Sequence, residues 1–244
     1  MDISMIIPTY QEEEYIKETL VQLAKAKSVG VSKGIESEIL VVDSGHDKTL
    51  KLARPITDKL FKFRERGVSK ARNFGASKAS GDILLFIDAD VIVPMDLLEE
   101  VVRTFKNKAI VAAISRVQPR RLRSHSLSAS KRLFYLFDDI FVKNCVKHKL
   151  LLRFYNRGDV LAVRRDSFFK TRGFNEKLAT MEITELILKL SELGRIALLN
   201  TTVYESVRRL KQWGVLKSYL VWWRYYASYW LLQRSFNSTY EAVR

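Results

Sequence analysis

Gly81-Asp82-Ile83-Leu84-Leu85-Phe86-Ile87-Asp88-Ala89-Asp90 runs from five consecutive apolar residues straight into two carboxylates separated by one alanine. An apolar run without polar alternation reads as a strand covered on both faces, the state of strands in parallel sheets. Carboxylates at the end of such a strand are costly unless something positive binds there. Side chains two apart in an extended chain point the same way, so Asp88 and Asp90 can converge on one hard cation, with Ala89 leaving room for a ligand. The competing reading is a strand-end turn capped by Asp, where a lone Asp-x-Asp would belong.

Working outward, the same form recurs. Strand-like runs at Ile3–Pro8, Glu38–Asp43 and Lys59–Phe63 alternate with helical patterns near Glu13–Lys27, after His46 and over Val68–Ser77. A helix near Met95–Lys106 and a strand near Ala109–Ser115 continue the series. Pro8-Thr9, Asp43-Ser44-Gly45, Gly67 and Gly81 supply the punctuation. The fold class is therefore α/β, a mostly parallel sheet flanked by helices, in which ligands collect at the carboxyl ends of the strands. Beyond residue 115 the pattern loosens. Arg116–Arg132 is basic and serine-rich and reads as an exposed loop or lid. Regular structure is expected again at Leu133–Leu152 as helix, then at Asp159–Val163, Ile183–Leu193 and Arg195–Leu199.

The formal net charge is +15, yet residues 1–115 carry equal numbers of basic and acidic side chains, so the excess lies wholly in the later part. A basic surface suits anionic headgroups, a phosphorylated acceptor or nucleic acid, and charge alone does not choose among them. The single cysteine, Cys145, makes neither an intramolecular disulfide nor a cysteine-rich metal site, and reads as an apolar filler. His46, His125 and His148 are too scattered for a zinc site. The N-terminus enters a strand without the pattern of a secretory signal, so the expected location is cytoplasmic, at the inner face of the cell membrane if the chain meets lipid.

Four strand-end motifs occur in order: Ile6-Ile7-Pro8-Thr9-Tyr10-Gln11-Glu12-Glu13, Val41-Val42-Asp43-Ser44-Gly45, Gly67-Val68-Ser69-Lys70-Ala71-Arg72-Asn73-Phe74-Gly75-Ala76 and Gly81–Asp90. With Asn156–Phe174, Glu182–Leu190 and Gly194-Arg195, they resemble glycosyltransferase family 2, over roughly residues 1–205. The resemblance implies a GT-A (Rossmann-like) fold, with a nucleotide-sugar half at 1–115 and an acceptor half at 116–205. It implies that Pro8, Thr9, Tyr10 and Glu12 line the nucleotide pocket, that Asp43 accepts a hydrogen bond from the base, and that Arg72 sits near the base or diphosphate. Asp88 would contact ribose and metal, and Asp90 would ligate Mg²⁺ or Mn²⁺. The donor would be a nucleotide-diphospho-sugar, UDP-linked by the commoner expectation, and the transfer inverting. A departing diphosphate develops negative charge, which a divalent cation stabilises without proton transfer.

One position departs from the pattern. The family's acidic pair at the acceptor-side helix corresponds here to Met181-Glu182-Ile183-Thr184-Glu185-Leu186, with Ile183 where the general-base aspartate is expected. Either Glu182 or Glu185, three apart on one helical face, takes that role, or no base is needed. A phosphate oxygen is already anionic at neutral pH, so loss of the base fits a lipid phosphate such as a polyprenyl phosphate as acceptor, in place of a glycan hydroxyl.

The segment 206–244 is a basic, aromatic appendage. Residues 213–232 hold all four tryptophans, and Lys217, Arg224 and Ser228 fall on one narrow helical face. Such an amphipathic helix suits a peripheral position among headgroups better than a span, while packing on the domain or a dimer contact is the other reading. Arg208–Trp213 resembles a basic stretch near the acceptor site of some family members. Nucleotidyl transfer is disfavoured by the absence of a glycine-rich, lysine-bearing phosphate loop. The remaining alternative is a catalytically impaired relative that binds nucleotide or nucleic acid through its basic half, and a nucleic-acid partner is not expected while both aspartates are retained.

Overall fold

The computed structural model describes residues 1–119, 129–206 and 208–232. β1 (Ile3–Thr9), α1 (Ile16–Ser32), β2 (Ser37–Asp43), α2 (Thr49–Ala53), β3 (Lys59–Lys62), α3 (Val68–Lys78) and β4 (Ile83–Ile87) alternate as expected. After the short β5 (Val91–Ile92) come α4 (Leu97–Phe105), β6 (Ile110–Pro119) and α5 (Ala129–Lys147). A 3₁₀ turn (Lys149–Phe154), β7 (Val160–Arg164), α6 (Arg165–Lys170), α7 (Glu182–Leu193), β8 (Arg195–Glu205) and α8 (Arg208–Leu232) complete the chain. The eight strands form one sheet in the order β3-β2-β1-β4-β7-β6-β8-β5. β3, β2, β1 and β4 run parallel, β7 is antiparallel to both β4 and β6, and β8 returns parallel to β6.

Strand periodicity divides the core. Ile3, Met5, Ile7, Ile83, Leu85 and Ile87 face one layer, packed on Ile16, Leu20 and Leu23 of α1 and on Leu97, Leu98 and Val101 of α4. The intervening Ile6, Leu84 and Phe86 face the other, against Ala76 of α3 and Ile183, Leu186 and Ile187 of α7. Burial on both faces explains why these strands carry no polar alternation. α3 approaches the sheet closely at Gly75, where a Cβ would stand 2.5 Å from Ile6 Cγ2 and 3.3 Å from Val42 Cγ2. Those atoms belong to β-branched core residues that cannot swing aside, so Gly75→Ala is expected to destabilise by about 1–3 kcal/mol through overpacking. Thermal unfolding followed by circular dichroism would register this as a Tm lowered by several degrees.

The insertion of β7 positions the site. Val160 pairs with Ile87 and Arg164 with Ile83, so β7 begins where β4 ends, and residues 157–159 arrive beside Asp88. The end of β8 comes to the same edge, with Glu205 opposite Val91.

Several elements differ from expectation. The stretch read as a loop at Arg116–Arg132 is instead strand through Pro119, since Arg116–Pro119 pairs with Thr202–Glu205. It is helix again from Ala129, and the part at 120–128 lies outside the described residues. Arg116 is held by Asp139 of α5 at 2.7 Å. The expected helix Leu133–Leu152 is divided at His148. α8 contains Gly214 at φ 75°, ψ 170°, a kink at the junction between the basic stretch and the aromatic helix. Beyond it α8 lies against α5, Trp222 meeting Phe134 at 5.7 Å between ring centroids. Ser228 is buried, bonded to the Tyr225 carbonyl, and so leaves the exposed face it was expected to share with Lys217 and Arg224. Cys145 is fully buried, and burial pushes its thiol up to about 12, in keeping with a filler.

Candidate active site

The loops after β1 and β2 are locked to each other. Asp43, fully buried at the end of β2, accepts hydrogen bonds through Oδ1 from Thr9 Oγ1 at 2.9 Å and from the Gly45 amide at 3.1 Å. Its Oδ2 faces Lys62 Nζ at 3.3 Å, and Lys62 also donates to the Gly45 carbonyl. Gly45 is required here, because a Cβ would lie 2.6 Å from the Gln11 amide nitrogen. The Glu12 amide donates to Thr49 Oγ1 at 2.9 Å, which ties the start of α1 to α2. Pro8 is buried within β1 opposite Val42, and the Arg66 guanidinium lies 5.3 Å from the centroid of the half-buried Tyr10 ring. Pro8, Thr9, Tyr10, Glu12 and Asp43 thus gather at the carboxyl ends of β1 and β2.

Asp88 and Asp90 follow β4 in a fixed turn. The Asp88 amide donates to the Asp159 carbonyl at 3.1 Å, and Thr19 Oγ1 donates to the Ala89 carbonyl at 2.7 Å. Asp90 Oδ2 lies 3.3 Å from Arg208 Nε. Arg208 also forks onto Glu12, with N···O distances of 2.8 and 2.9 Å. Burial raises the Asp90 carboxyl to about 7 even though Arg208 pulls it down, and the charges of Asp88, Glu12 and Asp159 add to the rise. Glu12 is raised as well, by burial that Arg208 only partly offsets. One guanidinium therefore stands against a surplus of carboxylate.

Arg72, from the middle of α3, joins this cluster to α7. It is buried and bridges Asp88 Oδ1 at 2.8 Å and Glu182 Oε1 at 3.0 Å. Gly158 makes room for it, since a Cβ there would lie 2.8 Å from Arg72 Nη2. Glu182 is raised by burial, with Arg72 the main opposing charge. Ile183 belongs to the buried core with Leu186 and Phe86, and its side chain lies against Gly158 beside the tip of Arg72, where it offers no proton acceptor. Glu185 pairs with Lys189 at 3.0 Å, and among the described residues no contact joins it to the aspartates. Of the two glutamates read from the sequence, Glu182 joins the cluster.

Two arginines carry more of the site than the sequence suggested. Arg208 stood out only as part of a basic stretch. Arg157, half-buried beside the site, binds three carboxylates: Asp138 through Nη1 at 2.7 Å, Asp159 through Nε at 3.0 Å and Glu205 through Nη2 at 2.8 Å. Tyr135 donates to Glu205 at 2.8 Å. Burial pushes Glu205 up to about 8, whereas Asp159, against the same burial, is held below the usual carboxylate range by Arg157 and by a bond from Glu205. The signal available in the sequence was the Asn156-Arg157-Gly158-Asp159 run just before a buried strand.

Among the described residues no three His, Cys, Asp or Glu side chains form a closed metal cage. Mg²⁺ is ordinarily held by one or two carboxylates and completed by substrate phosphates. Asp88 and Asp90, all-oxygen donors with excess negative charge around them, fit such an ion. A cleft of about 700 Å³ between α5, α7 and the starts of β6 and β8 shares no residue with this cluster. The carboxylate geometry, not cleft size, is the better guide to the chemistry.

Comparison with known proteins follows the same lines. The model of glycosyl transferase family 2 matches residues 4–210. The dolichol-phosphate mannosyltransferase of Pyrococcus furiosus is 32% identical over 122 residues, which are 48% of this chain and 33% of that protein. The crystal structure of Staphylococcus aureus TarS 1–349 in complex with UDP superimposes with a TM-score of 0.62 at 21% identity, covering 87% of this chain and 63% of that one. Mannosyltransferase PcManGT from Pyrobaculum calidifontis, in complex with GDP-Man and Mn²⁺, gives 0.64 at 21% identity, covering 91% and 64%. The chain thus spans less than two thirds of the length of each of these relatives. The architecture is that of the GT-A neighbours.

Proposed function

The chain belongs to glycosyl transferase family 2, and from that premise we propose that it transfers a sugar, with inversion, from a nucleoside diphosphate donor to an acceptor phosphate carried on a lipid. The observation that carries the donor half is the position of Asp90, half-buried just past the end of β4 beside Arg208 and among the charges of Asp88, Glu12 and Asp159. A divalent cation, Mg²⁺ or Mn²⁺, held at Asp88 and Asp90 would neutralise the departing diphosphate. Arg72 fixes the Asp88 carboxylate in place, and Arg208, already at Asp90, is placed to meet phosphate oxygens. The buttressed loop of Asp43 and Thr9 offers the base a rigid edge, with UDP the first expectation.

The acceptor half rests on what Glu182, Ile183 and Glu185 do. Ile183 is core, Glu185 is paired with Lys189, and Glu182 is held by Arg72. A phosphate acceptor needs no base, and its charge suits the basic later half of the chain. The C-terminal helix, 213–232, would bring the protein to the membrane where such an acceptor resides; no helix among the described residues is long and apolar enough to cross one.

Titration calorimetry with UDP, GDP and their sugar conjugates, with and without Mn²⁺, tests the donor half. Mn²⁺-dependent binding of one nucleotide, lost in Asp90→Ala, is expected; folded protein that binds none would sink the reading. For the acceptor half, Glu182→Gln keeps an oxygen for Arg72 while removing the basicity and the charge of the carboxylate. Its kcat is expected to fall by less than about ten-fold, whereas removal of a general base would lower it by roughly 10²–10⁴.

A further inference from the structure

α5 is apolar on the side where a surface helix should be polar. Phe134, Tyr135, Val142 and Cys145 turn inward, yet Leu133, Leu136, Phe137, Ile140 and Phe141 all lie on the opposite side and are exposed, Phe137 by 57%. Their spacing of three and four residues makes one continuous stripe. α8 repeats the arrangement beyond its kink: Ser218, Tyr225 and Ser228 face inward, while Leu216, Leu220, Trp223, Trp230 and Leu231 are exposed, Leu231 by 81%. The two helices touch through Phe134 and Trp222. Two outward apolar stripes therefore stand side by side, larger together than a scatter of surface hydrophobics explains.

The charges beside the stripes decide what covers them. Arg132, Lys143 and Lys147 run along one edge of the α5 stripe, and Lys217 and Arg224 along one edge of the α8 stripe, all exposed. Lys143 and Lys147 also line the cleft of about 700 Å³, together with Lys149 and Arg195. Few acidic residues answer them: α8 contains none over Arg208–Leu232, Asp139 of α5 is shared between Arg116 and Lys143, Asp138 pairs with Arg157, and Glu192 pairs with Lys149. Apolar stripes with tryptophans and a rim in net basic excess match the boundary between headgroups and acyl chains of an anionic bilayer.

We propose that α5 and α8 form one bipartite face that seats the protein on anionic lipid, with α5 inserting as deeply as α8. This extends the membrane contact suggested for the C-terminal helix and is independent of the donor chemistry. Cosedimentation of the full chain with vesicles of phosphatidylcholine alone, and of phosphatidylcholine and phosphatidylglycerol in equal parts, tests it. The wild type is expected to bind the anionic vesicles and to stay free of the neutral ones. Leu136→Ser/Phe137→Ser/Ile140→Ser on α5 and Leu220→Ser/Trp223→Ser on α8 are each expected to weaken binding by about ten-fold or more at unchanged Tm. Should a variant fail to fold, single Phe137→Ser and Trp223→Ser changes, with the Trp emission shift on vesicle addition, give the same readout. Wild type that ignores anionic vesicles would overturn the proposal, as would an α5 variant that binds like wild type. A dimer in solution that the α5 changes dissolve, with no lipid binding, would assign the face to a second copy of this chain instead. Lipid binding by protein that binds no nucleotide would leave this inference standing while the donor reading fell.

Discussion

Asp90→Asn is expected to lower sugar transfer by about a thousand-fold and, in cation-free protein above pH 7, to raise the melting temperature. The first effect follows from losing a carboxylate that stabilises several kcal/mol of developing charge through the cation. The second follows from what burial does to Asp90 itself. Its folded value of about 7 lies above its ordinary 3.8. A group raised in this way contributes stability that is fully present below the unfolded value and is lost as pH rises through the folded one. Wild type at pH 8 therefore carries a half-buried charge that Asn lacks, and Arg208 keeps its fork on Glu12 in either case. The gap in stability should grow from about pH 4 and level off above about pH 7, reaching about 1–2 kcal/mol after the lost Arg208 contact is allowed for. Differential scanning calorimetry across that range, beside initial rates of transfer, checks both effects. A variant that melts lower than wild type at pH 8 would mean that Asp90 is a structural partner of Arg208 rather than a cation site.

Arg157→Met is expected to be the most destabilising single change near the site, by about 3–5 kcal/mol or more, because it leaves buried carboxylates without their cation. For a chain of this size that corresponds to a Tm lower by roughly 6–20 °C. Asp138, Asp159 and Glu205 converge on three different nitrogens of one guanidinium. A lysine offers a single ammonium and should not restore the loss. Transfer should fall as well, since Asp159 receives the Asp88 amide and so helps set the turn that carries both aspartates. Chemical denaturation of wild type, Arg157→Met and Arg157→Lys separates the charge from its geometry: near-wild-type stability in the lysine variant would show that charge alone suffices.

What was legible in the sequence was local. The apolar run into Asp88 and Asp90, the strand ends at Thr9 and Asp43, and the small residues of α3 each announce their structure within about ten positions, since burial on two faces and close helix packing leave a direct mark on composition. Arg157 and Glu205 were illegible for a physical reason. Their meeting depends on β7 entering antiparallel between β4 and β6, and on β8 lying parallel to β6, which are facts of sheet order that no stretch of chain carries. The same holds for Arg208 reaching Glu12 across 196 positions. Arg116–Pro119 misled because charge in a strand near a sheet edge resembles charge in a loop, while Asp139, the partner that allows it, lies on α5. The outward stripe of α5 was hidden by the apolar residues on its inward side, which make the helix look merely buried.

The most direct measurement is transfer itself. Purified protein is incubated with radiolabelled UDP- and GDP-hexoses, Mn²⁺ and a polyprenyl phosphate in anionic vesicles, and label is followed into the organic phase. The expected result is cation-dependent label from one donor onto the polyprenyl phosphate, absent with the dephosphorylated lipid and with Asp90→Asn. Label that reaches the lipid alcohol, or that passes equally well with Asp90→Asn, would contradict the assignment of a phosphate acceptor or of the cation site.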